Sequence, residues 1–259
     1  MEKKSTKSRL NSAYMSESTF ETLAWNAQKT VVGIDEVGRG CFAGPVVACE
    51  LILKPYATHT LLRDSKMLSE AQRNEAYAWI AGNAWYAFGI VDHRVIDEVN
   101  IYQATLIAMQ RAYWGVASSH SASRVFCAAE SIERQSAHYP IDTVLVDAMP
   151  LFLGNTAAPP VQSFIKGEQR SISIAAASIM AKVMRDALMS RLSLQFPHYA
   201  LHDNKGYGTP SHAQALHTHG PTLIHRTTFI RSTLEQKESD HGTNDTYRNG
   251  GERQGSLFG

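Results

Sequence analysis

The run Thr30-Val31-Val32-Gly33-Ile34-Asp35-Glu36-Val37 constrains the fold most. It is short, β-branched and apolar, the signature of a buried strand. Yet it ends in two adjacent carboxylates. The turn Gly38-Arg39-Gly40 follows, and then a second apolar run, Pro45 to Leu53. Two such runs must be buried, and acids at the end of a buried strand are costly unless they are paired or bind a cation. The chain is therefore expected to form a sheet with one chemically special edge. Alternation along an ideal strand sends Asp35 and Glu36 to opposite faces. Both reach one site only if the strand ends or twists there, which the following glycines allow.

Three more strands are predicted at Trp85–Val91, Asp142–Ala148 and the run Val161-Gln162-Ser163-Phe164-Ile165. Helices are predicted at Ser69–Asn83, where Ser69 and Gln72 have capping-box spacing, and at Gln103–Ala117, Ser121–Ser136 and Ser171–Gln195. Strands come first in hairpin order and then alternate with helices. The expected class is α/β, a mixed five-stranded sheet flanked by helices. Residues 25–195 form its main body, and after Pro197 short helical pieces make a small C-terminal region, 196–231. A flexible extension is expected over 1–24 and a disordered tail over 232–259, both polar.

Composition excludes several classes. No stretch approaches the ~18 apolar residues of a membrane span, and the N-terminus has no apolar core of a signal peptide. Cys41, Cys49 and Cys127 are odd in number and include no C-x-x-C pair, which fits a reducing cytoplasm. The eleven histidines show no zinc spacing; they are read as surface or nucleic-acid contacts, with His225 structural. Net charge is only +1, but residues 165–191 hold five bases against two acids, and 205–231 hold three bases and no acid. That local excess suits phosphate contacts.

Further acids stand at strand ends. Asp147 closes the fourth strand and Glu168 follows the fifth. With Asp35 and Glu36 they form a set of hard oxygen ligands suited to Mg²⁺ or Mn²⁺. Asp186 is expected to be a helix residue that pairs with a nearby base, not a fourth ligand.

Seven motifs then appear in order. They are Gly33 to Gly40 with Ala43-Gly44-Pro45-Val46-Val47, Asp64-Ser65-Lys66, Asn100-Ile101 with Ala104-Thr105-Leu106, Val146-Asp147, Lys166-Gly167-Glu168 with Ser173 to Asp186, Asn204 to Thr209, and His225-Arg226 with Phe229. The set resembles bacterial ribonuclease HII, of the type 2 ribonuclease H family, over roughly residues 25–231. The resemblance implies a ribonuclease H-like catalytic domain over 25–195 and a C-terminal substrate-binding region. It implies a metal-dependent endoribonuclease that cuts the RNA strand of RNA–DNA hybrids and at ribonucleotides embedded in DNA, leaving 5′-phosphate and 3′-hydroxyl ends.

On this reading Asp35, Glu36, Asp147 and Glu168 are catalytic, and the first three are metal ligands. One ion on Asp35 and Asp147 would activate water, and a second on Glu36 would stabilise the leaving oxygen. Gly38, Arg39, Gly40, Lys66, Lys205 and Tyr207 bind substrate, with the glycine loop and Tyr207 sensing the RNA-to-DNA junction. Two positions depart from the family pattern: Glu168 where Asp is usual, and Ala148 where Gly is usual. The alternative is a non-catalytic RNA–DNA binding module, against which retention of Asp35, Glu36 and Asp147 speaks. A monomer is expected. The last residues, Gln254-Gly255-Ser256-Leu257-Phe258, resemble short peptides that bind the sliding clamp.

Overall fold

The computed structural model describes residues 16–127, 141–153 and 158–242. A short helix α1 (Thr19–Asn26) leads into β1 (Val31–Val37), β2 (Val46–Leu53), helix α2 (Glu70–Asn83) and β3 (Ala84–Val91). A long helical segment α3 (His93–Cys127) precedes β4 (Thr143–Asp147) and β5 (Val161–Phe164). Then come α4 (Gly167–Arg170), α5 (Ile172–Leu192), α6 (Leu201–Asn204), α7 (Pro210–His219) and α8 (Thr227–Gly242).

The five strands form one sheet in the order β3-β2-β1-β4-β5. The β1–β2 and β2–β3 pairs are antiparallel, whereas β1–β4 and β4–β5 are parallel. Helix α3 covers one face, over Val32, Ile34, Val46, Ala48, Val144 and Val146. Helices α2 and α5 cover the other, over Cys49, Leu51 and Leu53. With both faces covered, β2 is buried along its whole length and shows no alternation. At Gly33, β1 approaches α5 so closely that a Cβ would lie 2.3 Å from the Ser173 carbonyl carbon.

The expected α/β class and five-stranded mixed sheet are found, and the Ser69–Gln72 capping box is complete. Some boundaries differ. Helix α1 lies partly inside the stretch expected to be flexible. It is held because Glu21 is buried and accepts hydrogen bonds from Ser171 Oγ and Ser173 N at the start of α5, where a carboxylate meets the helix dipole. Helix α8 runs on to Gly242, past the expected start of the tail. Its first turn is anchored by Asp97, which accepts from the backbone N–H groups of Thr227 and Thr228.

The helices expected at Gln103–Ala117 and Ser121–Ser136 are not separate. Helix α3 runs through both starts to Cys127, and the remainder of the second lies outside the described residues. The interruption comes earlier, at Asn100, with φ 68°. Its side chain accepts from the N–H groups of Tyr102 and Gln103 and so caps the next turn.

Candidate active site

In the parallel β1–β4 pair, Ile34 stands opposite Val146. One residue further on, Asp35 and Asp147 reach the same end of the sheet on adjacent strands. Asp35 is buried under α5, where Ser178 bonds its carboxylate. Ser178 Oγ in turn lies 2.9 Å from Ser65 Oγ, so the Asp64-Ser65-Lys66 motif supports Asp35 through two hydroxyls. Asp35 Oδ1 also accepts from the Glu36 N–H at 2.7 Å. In this bond the Asp35 carboxylate turns back onto the N–H of its neighbour, while the pairing of β1 with β2 continues through Val37.

Burial raises the Asp35 pKa well above the usual carboxylate range, with Glu36 and Asp147 adding like-charge repulsion. Burial raises Glu36 as well, opposed by Arg39, whose Nη1 lies 3.4 Å from Glu36 Oε1. Asp147 Oδ1 accepts from the Gly167 N–H at 2.7 Å, which brings α4 and Glu168 to the edge. Glu168 is buried and its pKa is raised by burial first, then by Asp147 and Asp64, with Lys66 opposing. The charge of Asp147 thus adds to the raised values of Asp35, Glu36 and Glu168 alike.

The donor set fits a hard divalent cation. Glu36 Oε2 and Glu168 Oε2 are buried without a hydrogen-bond partner, and an oxygen in that condition is stabilised by a cation. Among the described residues, no group of three His, Cys, Asp or Glu side chains is already gathered as a cation cage.

Beside the acids, Gly38 has φ 97°, and a Cβ there would lie 2.2 Å from Arg185 Nε. A Cβ on Gly40 would meet nothing within 4 Å, so that part of the loop is open. The loop is held from below by two buried arginines. Arg226 donates to the carbonyls of Gly38, Arg39 and Gly44 at 2.7–3.0 Å. Arg185 donates to those of Ala43, Pro45 and Lys205.

Tyr207 lies against the same loop, its backbone bridged to Cys41 and its ring near Lys182 and Arg185. It is half-exposed, and its side chain hydrogen-bonds the buried Cys41 thiol. Lys66 is exposed near Glu168, whereas Lys205 Nζ bonds Ser190 Oγ at 2.8 Å. Asp186 pairs with Lys182 at 2.8 Å, as expected of a helix residue.

Arg185 and Arg226 count toward the local basic excess of the sequence, but they do not lie on a cationic surface. Both are fully buried and bind loop carbonyls, so they are not phosphate contacts. Charge counting carries no information about burial. His225 is structural, as expected, but His212 was missed; it is buried against His225. Ser178 also went unassigned. A hydroxyl inside an otherwise apolar helix face is the signal that would have singled it out.

A carboxylate edge on a parallel strand pair, beside a glycine loop clamped open, defines a sheet-based nuclease of the ribonuclease H-like class. The family model for ribonuclease HII matches residues 32–232, and the chain belongs to that family. Ribonuclease HII of Bacillus subtilis is 39% identical over 231 residues, covering 88% of this chain and 81% of that protein. That of Geobacter sulfurreducens is 43% identical over 204 residues, covering 78% and 82%.

Two solved structures share the fold. Ribonuclease H2 from Pyrococcus horikoshii superposes with a TM-score of 0.55 at 21% identity, covering 81% of this chain and 99% of that one. The complex of PCNA with RNase HII from Archaeoglobus fulgidus contains a chain with a TM-score of 0.51 at 20% identity, covering 76% and 93%. The protein is an endoribonuclease acting on RNA–DNA hybrids, of a divalent-metal-dependent family. Among the described residues no helix is long and apolar enough to cross a membrane.

Proposed function

We propose that Asp35, Glu36, Asp147 and Glu168 are the catalytic acids, that Asp35, Glu36 and Asp147 hold Mg²⁺ or Mn²⁺, and that the enzyme cuts where a ribonucleotide meets DNA. The observation that carries this reading is the register of β1 and β4, which brings Asp35 and Asp147 to one sheet end. The unpartnered oxygens of Glu36 and Glu168 support it. When bound, such an ion makes water nucleophilic near neutral pH and offsets charge on the reacting phosphate. The products are a 5′-phosphate and a 3′-hydroxyl.

The chain's own residues supply position. The open Gly38-Arg39-Gly40 loop brings backbone amides to the 2′-hydroxyl, the group that distinguishes RNA from DNA. Tyr207 lays its ring on the neighbouring sugar. Lys66 faces a flanking phosphate, and Lys205 reaches one only by exchanging its Ser190 bond. The exposed Lys166 and Arg231 add sequence-independent attraction.

The test is a DNA duplex carrying one ribonucleotide, incubated with and without Mg²⁺. Cutting at that ribonucleotide, dependent on the ion, is expected. Tyr207→Ala should lower this activity more than cutting of a continuous hybrid. Equal loss on both substrates would make Tyr207 a packing residue.

We also propose that residues 254–258 dock on a sliding clamp and that the enzyme works in the cytoplasm as a monomer. The archaeal RNase HII in complex with PCNA supports the clamp; the peptide itself lies outside the described residues. Leu257 and Phe258 would fill an apolar pocket and the tail would hold the enzyme near DNA. Titration of a peptide spanning 240–259 against the clamp tests this, with Leu257→Ala plus Phe258→Ala expected to remove binding. The buried free thiols Cys41 and Cys49 support a reducing compartment.

A further inference from the structure

Behind Tyr207 lie two histidines, His212 at 0% and His225 at 2% exposure, with Nε2 atoms 3.0 Å apart. Two unprotonated nitrogens repel at that distance, and so do two protonated ones. One must donate, and the outer bonds decide which. Thr222 N–H lies 2.9 Å from His225 Nδ1. A backbone N–H can only donate, so His225 Nδ1 carries no proton and its Nε2 does. At the other end, His212 Nδ1 lies 2.9 Å from the Tyr207 carbonyl oxygen. That oxygen can only accept, so the His212 proton sits on Nδ1 and its Nε2 is bare. Hydrogen bonds therefore run in one direction: Thr222 N–H to His225, His225 Nε2–H to His212, His212 Nδ1–H to Tyr207 C=O.

Surrounding groups keep the pair neutral. Burial lowers the pKa of both imidazoles, that of His225 to about 4, with His212 and His93 adding repulsion on it. Phe42 packs on His212 and Tyr199 on His225. The relay also ties into the glycine loop. Ala43 is bridged to His225, Cys41 is bridged to Tyr207, and the next residue after His225 is Arg226, the loop clamp.

We propose that His212, locked by His225 as the Nδ1–H tautomer, is a positioning residue that fixes the Tyr207 backbone against the Gly38–Gly40 loop and thereby sets the preference for a ribonucleotide joined to DNA. This rests on the reading that Tyr207 contacts the sugar at that junction. His212 touches no substrate; it acts by removing freedom from the residue that does. Preorganisation of this kind favours the substrate whose single ribonucleotide offers only one register.

Two measurements test it on the full-length enzyme. The first is the long-range ¹H–¹⁵N NMR spectrum of ¹⁵N-histidine-labelled protein at pH 7.5. It should show His212 as the Nδ1–H tautomer and His225 as Nε2–H; the opposite tautomers, or a charged ring, overturn the relay. The second is the ratio of kcat/KM on a single embedded ribonucleotide to that on a continuous hybrid. His212→Phe keeps a ring but removes the donor, and should lower the ratio about tenfold, the scale of one hydrogen bond. His212→Asn keeps an N–H near the Nδ1 position and should restore it to within about threefold of the parent. Equal losses on both substrates, with Tyr207→Ala still selective, overturn the inference alone. An unchanged ratio in Tyr207→Ala overturns the reading of Tyr207 and this proposal with it. Should His212→Phe not fold, the parent spectrum and His212→Asn still decide.

Discussion

Glu50 sits in the middle of β2, fully buried, with both carboxylate oxygens lacking a partner. Its neighbours across the strands are Ile34 and Ala87, and Tyr113 lies close enough to feel its charge. Burial alone raises its pKa well above the usual value of 4.5. Glu50→Leu should therefore stabilise the protein. Removing unmade hydrogen bonds is worth about 1–3 kcal/mol. Each pH unit between the unfolded and folded pKa values adds about 1.4 kcal/mol. A gain of at least about 2 kcal/mol at pH 7.5 follows, or roughly 4–8 °C in Tm for a domain of this size. The sign with pH is fixed by linkage. A folded pKa above the unfolded one means that the folded state binds the extra proton. Stability from this group is complete below about pH 4.5 and is lost as pH rises toward the folded value. The advantage of Glu50→Leu should therefore grow from pH 5 to 7.5. Glu50→Gln, which keeps the shape without the titration, separates the two contributions. Asp35, Glu36 and Glu168 titrate in the same direction but are common to all three proteins. Urea unfolding of the metal-free enzyme measures the difference. A Leu variant no more stable at pH 7.5, or an advantage flat with pH, would refute the reading of Glu50 as a buried, unpartnered carboxyl with a raised pKa.

Asp35→Asn should lower cleavage by at least about 10³-fold, about 4 kcal/mol, with hybrid binding retained by electrophoretic shift; near-normal rates at saturating Mg²⁺ would remove Asp35 from the metal site. Glu168→Asp should change rate by no more than about tenfold, ~1.4 kcal/mol, while altering the Mg²⁺-to-Mn²⁺ rate ratio; no effect with either ion would place Glu168 outside the site. Ala148 has φ 49°, a conformation that costs a residue with a Cβ about 1–2 kcal/mol. Ala148→Gly should raise thermal stability by up to about 1 kcal/mol after the greater unfolded-state freedom of glycine is deducted; a lower Tm would contradict it.

Most of the sheet was legible because strand formation here is local. Each of the five runs is short, rich in β-branched or aromatic residues and bounded by Gly, Pro or a capping residue, and each forms a strand. The Ala148 departure was legible too, and the backbone explains it: the position after Asp147 turns into the left-handed region, where glycine is at ease. What the sequence hid depends on distant partners. Helix α1 is polar and short, and its Glu21 makes sense only beside the start of α5. Arg185 and Arg226 look like surface cations until their carbonyl partners, well over a hundred residues away for most, are known. Glu50 reads as part of an apolar strand whose register gives no hint that no partner faces it.

The meeting of the acids depends on one topological fact. Asp147 ends β4 and Asp35 lies two residues before the end of β1, and such positions coincide only when the strands run the same way. Had β4 joined β1 antiparallel, the same sequence would have put the two carboxylates at opposite ends of the pair, roughly 3.3 Å apart for each residue of strand. The connection prevents that. Between β3 and β4 the chain forms α3, which spans the sheet face over β1, β2 and β3 before β4 begins. A helix crossing a face returns its strand parallel to the one it left, and β3 is itself parallel to β1 through two antiparallel steps. Helix α3 contributes no acid to the site, yet its length and direction place Asp147 beside Asp35. Substitutions that shorten it should act on cleavage through β4 register, with the acids themselves intact.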